Sequence, residues 1–158
     1  MLESKNQTKF TPDQHIFLKF IGCLIKQGKK QKAWRIFTET LENIAKETKK
    51  HPLLVLKYSL DTFRPRIKLK SVKAGSVTRK LPVVLTQQES YFMAIKWLIK
   101  HVNNVKTGNF LKSLTDEIIN CFKNNNSKLL AKRKEIYKLA ADNRAFMFFG
   151  KRKKRRRR

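Results

Sequence analysis

The chain has 158 residues, and its 38 lysines and arginines against 11 acidic residues give a formal net charge of +27. Its 41% of hydrophobic residues are enough for the core of one domain, which excludes a wholly disordered chain. Because no run of about 18 uncharged apolar residues occurs, we expect no transmembrane helix.

Three amphipathic helices are predicted in the N-terminal part of the chain. The first begins at the capping signal of Thr11 and Pro12 and ends near Gly28. The third runs from Pro52 to Arg64, since a residue before proline disfavours the helical conformation. The predicted core faces of the three helices are Phe17, Phe20, Ile21 and Leu24; Trp34, Phe37, Leu41 and Ile44; and Leu53, Leu56, Leu60 and Phe63.

Residues from about 66 to 85 predict a β-hairpin. Residues 67–70 alternate apolar and basic side chains with the period of a strand, and Gly75 and Ser76 are the turn. Pro82 restricts the returning strand, residues 81–85, to an edge or an exposed arm. The cations along this hairpin are Lys68, Lys70, Lys73, Arg79 and Lys80.

Three further helices complete the predicted body. Residues 86–89 form a capping box that starts the fourth helix, and Ser127 caps the sixth after a turn at 124–126. The expected fold class is mainly α, a six-helix body with a protruding basic β-hairpin. We expect one domain over residues 11–150, between a flexible N-terminus at 1–10 and a polybasic tail at 151–158.

Patterns typical of catalysis or metal binding are missing. Glu39 and Glu42 share a helix face and residues 116–117 are adjacent acids, but acids on a basic helix usually sit in solvent or in ion pairs. Cys23 and Cys121 stand alone among apolar residues, which predicts reduced thiols in the core. We therefore expect no catalytic residues, no metal and no cofactor.

The basic residues are better candidates for function, because they cluster at a helix junction, on the hairpin and on the last helix. Phosphate contact requires only positive charge within reach of a nucleic-acid backbone, and a basic hairpin suits RNA that is recognised by shape. The predicted RNA-binding residues are Lys29, Lys30, Lys32, Arg35, Arg64, Arg66, Lys68, Lys70, Lys73, Arg79, Lys80, Lys96, Lys132, Arg133, Lys134, Arg144, Lys151, Arg152, Lys153 and Lys154.

The last eight residues, 151–158, are all Lys or Arg, and without them residues 1–150 still carry +19. Three interpretations of this tail are open: a disordered arm that orders on RNA, a nuclear import signal, or a patch for a membrane surface. We favour the first, since the tail extends a helix that is already basic.

The ordered motifs resemble the universal small-subunit ribosomal protein seven family over roughly residues 17–149. Residues 28–33, Gly-Lys-Lys-Gln-Lys-Ala, resemble the family's Gly-Lys-Lys-x-x-Ala step between its first two helices. The other matching pieces are 64–65 and 70–71 at the hairpin entry, Gly75, Thr78 and 81–83 in the hairpin, 94–97 on the fourth helix, and 132–135, Ala140 and 143–146 near the C-terminus.

The resemblance implies a small-subunit rRNA-binding protein with a six-helix body and a hairpin. It implies binding to the 3′ major domain of the rRNA, an early role in assembling the subunit head, and contact with neighbouring head proteins. It also implies a hairpin near the tRNA exit site and the mRNA path. A membrane partner is not expected.

Several positions depart from the family pattern. Residues 1–16 hold only two lysines where the family has an Arg-rich arm, and the added tail at 151–158 leads us to hypothesise that it partly replaces that arm. The paired arginines that usually open the fourth helix align with Glu89 and Ser90, and a histidine common in the last helix aligns with Tyr137. Glu89 and Ser90 are therefore not among the predicted RNA contacts.

Composition also bears on the source and on the alternatives. Lysine outnumbers arginine in the body and Asn, Ile and Phe are plentiful, which is typical of an AT-rich genome. We expect a mitochondrial protein encoded in the organelle, with a plastid or an AT-rich bacterium as the alternative. The alternative function is a DNA-compacting architectural protein that uses the hairpin as a minor-groove arm, and an enzyme acting on RNA ranks third.

Overall fold

A computed structural model describes residues 12–74, 76–105, 109–123 and 127–147. Within these ranges the chain forms six α-helices, one antiparallel hairpin and a short 3₁₀ helix, so the predicted fold class is confirmed. The elements are α1 (Pro12–Leu24), α2 (Lys30–Thr48), α3 (Pro52–Phe63), β1 (Ile67–Ala74), β2 (Val77–Val84), α4 (Gln87–Asn104), α5 (Phe110–Lys123), α6 (Lys128–Asp142) and the 3₁₀ helix η1 (Arg144–Phe146).

Two of the predicted helix caps are present. The hydroxyl of Thr86 accepts from the Glu89 N–H at 3.3 Å while the Glu89 carboxylate accepts from the Thr86 N–H at 3.1 Å. This reciprocal pair is the capping box that starts α4. The Ser127 hydroxyl likewise accepts from the Leu129 N–H at 3.0 Å and starts α6. The predicted cap at Thr11 lies outside the described residues.

The predicted end of the first helix is wrong by about one turn. We expected it near Gly28, but α1 ends at Leu24. The chain then turns through Gln27 and Gly28, whose φ angles of 54° and 72° are left-handed and cannot continue a right-handed helix. Both residues therefore belong to the turn between α1 and α2.

The core face of α2 also differs from the prediction. Trp34 is 51% exposed, whereas the buried residues of this helix are Ala33, Phe37, Thr40 and Ile44. These four follow a helical spacing, and Thr40 satisfies its buried hydroxyl by donating to a backbone carbonyl within its own helix. Packing thus selected the face with the small residue and left the large indole outside.

The hairpin is attached to the helical body along its base. Strand β1 contacts α6, and β2 contacts η1, while α2, α3, α4 and α5 pack around the central core. Leu81 and Leu85 are buried, although both belong to the hairpin or follow it directly. The C-terminal elements therefore hold the hairpin in place against the body.

Candidate nucleic-acid interface

The hairpin cations divide between the two faces of the sheet. Directly paired residues of an antiparallel sheet point to the same face, and successive residues point to opposite faces. The register, which pairs Val72 with Arg79 and Ser71 with Lys80, fixes the division. One face carries Lys68, Lys70 and Arg79, and the other carries Lys73 and Lys80. A single flat partner therefore cannot contact all five from one side.

A group of side chains, which we call the hairpin-base cluster, joins the hairpin to α6: Arg64, Arg66, Arg133 and Tyr137. The backbone N–H of Arg66 donates to the Tyr137 hydroxyl at 3.0 Å. The guanidinium of Arg133 lies 5.5 Å from the Tyr137 ring and donates to the carbonyl of Thr62, at the end of α3. Tyr137, which entered the prediction only as a departure from the family, thus links α6 to the hairpin.

Arg64 is held in the same region by internal contacts. Its guanidinium pairs with the Asp61 carboxylate at 2.9 Å and lies 4.5 Å from the Tyr91 ring. The Tyr91 hydroxyl donates to the same carboxylate at 2.7 Å. Burial, together with this hydrogen bond, raises the pKa of Tyr91 to about 12. Arg64 therefore has a structural role at the hairpin entry whatever it contacts outside.

The two residues that replace the family's paired arginines also serve the hairpin base. Glu89 closes the capping box and lies 3.3 Å from the Lys68 ammonium. The Ser90 hydroxyl donates to the carbonyl of Pro65 at 2.7 Å. The hydrogen bond from the Thr86 backbone and that from Lys68 hold the pKa of Glu89 below its ordinary value. Glu89 and Ser90 thus serve the hairpin base through internal contacts.

A second set of cations, carried by α4, α6 and the hairpin, lies over aromatic rings of α4 and η1. The Lys96 ammonium is 4.5 Å from the Phe92 ring centroid, and the Lys132 ammonium is 4.8 Å from that of Trp97. The Arg79 guanidinium is 4.8 Å from the ring of Phe146 in η1. Such cation–π contacts orient long side chains that would otherwise be mobile. Lys134 and Arg144 are exposed on the same C-terminal elements.

The turn between α1 and α2 and the first turn of α2 carry the third set, which we call the junction cluster: Lys26, Lys29, Lys30 and Lys32. All four side chains are exposed. Arg35, one turn further along α2, pairs with Glu39 at 2.7 Å in an exposed ion pair. Lys26 was not among the predicted RNA-binding residues, although its place three residues before Lys29 was a usable signal.

The structure places the junction cluster and the hairpin-base cluster at opposite ends of α4. Lys68 pairs with Glu89 in the first turn of that helix, and Lys26 donates to the Asn103 carboxamide at 3.4 Å near its end. With a rise of about 1.5 Å per residue, these contacts lie about 21 Å apart along the helix axis. A partner that contacts both ends must therefore span about 21 Å.

Two of the four acidic residues considered for catalysis have structural partners. Glu39 pairs with Arg35, and Glu117 accepts from the Ser127 hydroxyl and lies 3.7 Å from His101. Cys121 is a buried free thiol, and burial raises its pKa to about 11. In the part of the chain that the structure describes, no group of three or more His, Cys, Asp or Glu residues can hold a metal ion. None of the described helices is long and apolar enough to cross a membrane.

Comparisons with known proteins give the family. The family model described as ribosomal protein S7p/S5e matches residues 2–144. The chain belongs to this ribosomal protein family. The small ribosomal subunit protein uS7 of Leptospira biflexa is 31% identical over 134 residues, which are 85% of each chain. That of Rhodopirellula baltica is 31% identical over 150 residues, 92% of this chain and 95% of its own.

Organellar relatives occur as well. Small ribosomal subunit protein uS7c of Ostreococcus tauri is 32% identical over 129 residues, 82% of each chain. As an S7p/S5e member, the protein is a structural, non-enzymatic constituent of the small ribosomal subunit and binds small-subunit rRNA in translation. Of the predicted set, Lys151, Arg152, Lys153 and Lys154 lie outside the described residues.

Proposed function

We propose that this protein binds the 3′ major domain of small-subunit rRNA and helps to assemble the head of the subunit. One observation carries the proposal: the cations of the hairpin and the exposed lysines of the junction cluster meet opposite ends of α4, at contacts about 21 Å apart along its axis. An extended polyanion with phosphates at regular spacing can meet both groups of cations at once. A folded rRNA segment has these properties, and membership of the S7p/S5e family assigns the protein to the small subunit.

The two clusters have different roles in this proposal. The hairpin-base cluster holds the hairpin rigidly, so that Lys70 and Lys80 meet phosphates from opposite faces of the sheet. The junction cluster adds exposed charge at the far end of the body. If about ten phosphates are contacted, the logarithm of affinity falls with the logarithm of salt at a slope of about −7 to −9.

The hairpin also has a proposed location in the ribosome, near the tRNA exit site and the mRNA path. The family resemblance supports this placement, and so does the exposure of the distal half of the hairpin, where Val77 is 54% exposed. Neighbouring head proteins are the proposed partners of other exposed faces, among them the one around Leu54, which is 65% exposed.

Competition binding tests the main proposal. An rRNA fragment covering the 3′ major domain and a duplex DNA of equal length compete for the full chain at several salt concentrations. We expect the rRNA fragment to win and Lys70→Gln with Lys80→Gln to flatten its salt slope. Lys46→Gln with Lys123→Gln, an equal loss of exposed charge at the C-terminal ends of α2 and α5, is the matched control. A preference for DNA contradicts the proposal and supports a DNA-compacting protein.

We also propose a mitochondrial location and a role for the tail. The excess of lysine over arginine in the body supports this location. The chloroplast-type uS7c relative supports an organellar ribosome in general and keeps the plastid as the alternative. Sedimentation of native protein from purified mitochondria and plastids checks this, and absence from mitochondrial small subunits contradicts it. Deletion of residues 151–158 is expected to lower both the affinity for the rRNA fragment and its salt slope. An unchanged slope refutes the idea that the tail replaces an N-terminal arm.

A further inference from the structure

A cavity of about 480 Å³ lies between the end of α1, the start of α2, the end of α4 and the start of α5. Its inner lining is apolar and consists of buried or half-buried side chains, namely Leu24, Ala33, Ile36, Ile99 and Phe110. Sites for small ligands have volumes of roughly 300–1,000 Å³ and are mostly apolar with a few polar groups. The cavity thus has the size and the lining of a ligand site.

The mouth of the cavity is polar and basic. Lys26, Lys29 and Lys32 line it together with the Asn103 carboxamide, and all four side chains are exposed. Lys26 connects mouth and interior, because its ammonium donates to Asn103 at 3.4 Å and lies 6.0 Å from the Phe110 ring centroid. None of the described residues that line the cavity is acidic. A ligand with an apolar, planar part and a negative part matches this arrangement.

The turn at the mouth has an unfavourable backbone conformation. Gln27 has a φ of 54°, which non-glycine residues adopt rarely, and Gly28 follows with 72°. A methyl group added at Gly28 meets nothing within 4 Å, so glycine is required there by the backbone angle and not by crowding. This left-handed turn brings Lys26 and Lys29 to the same mouth.

We propose that this cavity takes up one unpaired nucleotide of a bound RNA strand. The base enters between Ile36 and Phe110, its edge faces the Asn103 carboxamide, and the flanking phosphates meet Lys29 and Lys32. The inference rests on the proposed function, because a bound rRNA supplies the strand. It adds a single-nucleotide site to what is otherwise recognition of phosphates and shape.

The energetics select the kind of nucleotide. Stacking of one base on one aromatic ring changes affinity by roughly 5- to 150-fold. Taking a base out of a duplex costs a comparable factor, which cancels the gain. The occupant is therefore a nucleotide in a loop, a bulge or a strand end, where the base is already unstacked.

A fluorescent base tests the site directly. A uridine decamer with one central 2-aminopurine is titrated with the full chain, alongside the same strand annealed into a duplex and alongside free AMP. We expect a change in 2-aminopurine fluorescence with the single strand only. A signal from the duplex that equals that of the single strand overturns the proposal, and so does binding of AMP as tight as binding of the decamer.

Two variants and one control locate the signal. Phe110→Leu is expected to weaken binding of the decamer about 10-fold and to abolish the fluorescence change, while Phe122→Leu leaves both unchanged. Phe122 is a matched control, because it is half-buried at the other end of α5 and also lies under a lysine ammonium, that of Lys50. If Phe110→Leu fails to fold, Asn103→Leu at the exposed mouth tests the site instead. We expect this variant to lose the fluorescence change with the decamer.

The same variants on the rRNA fragment separate the two proposals. If both variants bind the rRNA fragment as tightly as the wild-type chain and give an unchanged fluorescence response with the decamer, the nucleotide site is wrong. The proposed function then stands. If the wild-type chain does not bind the fragment, the proposed function itself is wrong. Displacement of the decamer by a fatty acid at lower concentration than by RNA also overturns the nucleotide site.

Discussion

The hairpin-base cluster and the junction cluster use positive charge in different ways. In the former, Arg64 pairs with Asp61 and Arg133 donates to a backbone carbonyl, so the cations are held within the protein. In the latter, Lys29 and Lys32 are exposed at the mouth of a cavity. Arginine offers several donors in a fixed plane and suits permanent contacts, whereas lysine carries a mobile charge for an external partner.

This difference explains why counting cations overestimates a binding surface. Some of the basic residues position the hairpin through internal contacts, and others face the solvent, where they can contact a partner. Because positioning residues and contact residues fail in different ways when changed, stability and RNA binding can be measured separately. The following expectations go from the largest effect on the free energy of unfolding to the smallest.

Truncating the core beneath the hairpin entry has the largest effect. Phe63 is 1% exposed at the end of α3, and Phe63→Ala is expected to lower the free energy of unfolding by about 3–5 kcal/mol. Trp34→Ala, at a 51% exposed position beside the junction cluster, is expected to cost much less. Urea denaturation followed by circular dichroism measures both. Equal losses of unfolding free energy would show that the hairpin entry and the junction cluster depend equally on core packing.

Loss of the Tyr137 hydroxyl has an intermediate effect. Tyr137→Phe keeps the ring beside Arg133 and removes the acceptor of the Arg66 N–H, which costs about 1 kcal/mol. Hydrogen exchange of the Arg66 amide and of the β1 amides is expected to speed up, while exchange in α2 stays unchanged. Uniform acceleration over the whole chain would contradict a local role of Tyr137 at the hairpin base.

Alkaline pH is expected to weaken the hairpin base through Tyr91. Its pKa is raised to about 12 in the folded protein, so the unfolded chain loses this proton first, from about pH 10 upward. Stability is thus intact below pH 10 and falls between pH 10 and 12. Tyr91→Phe removes this part of the decline in thermal midpoint. Tyr58→Phe, at a 53% exposed position, retains it and is the control.

Removing the lysines of the junction cluster has the smallest effect on stability. Lys29→Gln with Lys32→Gln leaves the free energy of unfolding within about 0.5 kcal/mol, since both are exposed. The slope of log affinity against log salt for the rRNA fragment becomes shallower by about 1.4 to 1.8. Denaturation and filter binding measure the two quantities. An unchanged slope would show that this cluster faces away from the RNA.

Local patterns predicted most of the elements but not every packing face. The hairpin followed from alternation at residues 67–70, and the start of α4 from Thr86 and Glu89, because both depend on neighbours in the sequence. The burial of Trp34 was wrong, since adjacent residues on a helix differ by only about 100° and the packing partners choose between them. The end of α1 was misplaced because Gln27 gives no sign of its positive φ.

The candidate site shows the same limit. Charge in the sequence selected Lys29, Lys30 and Lys32, but the cavity beside them is formed by residues from four helices and has no signature in any one segment. The roles of Tyr137 and Phe110 were likewise invisible, since each depends on a contact with a residue distant in the chain.

The sequence by itself determined the family, the six helices with their hairpin, and the excess of positive charge, because motif order, periodicity and composition are properties of the chain alone. Only the tertiary structure decided which cations hold the hairpin through internal contacts and which face the solvent. It also placed the two clusters at opposite ends of α4. The physical reason is that ion pairs, cation–π contacts and cavities form between residues that only folding brings together.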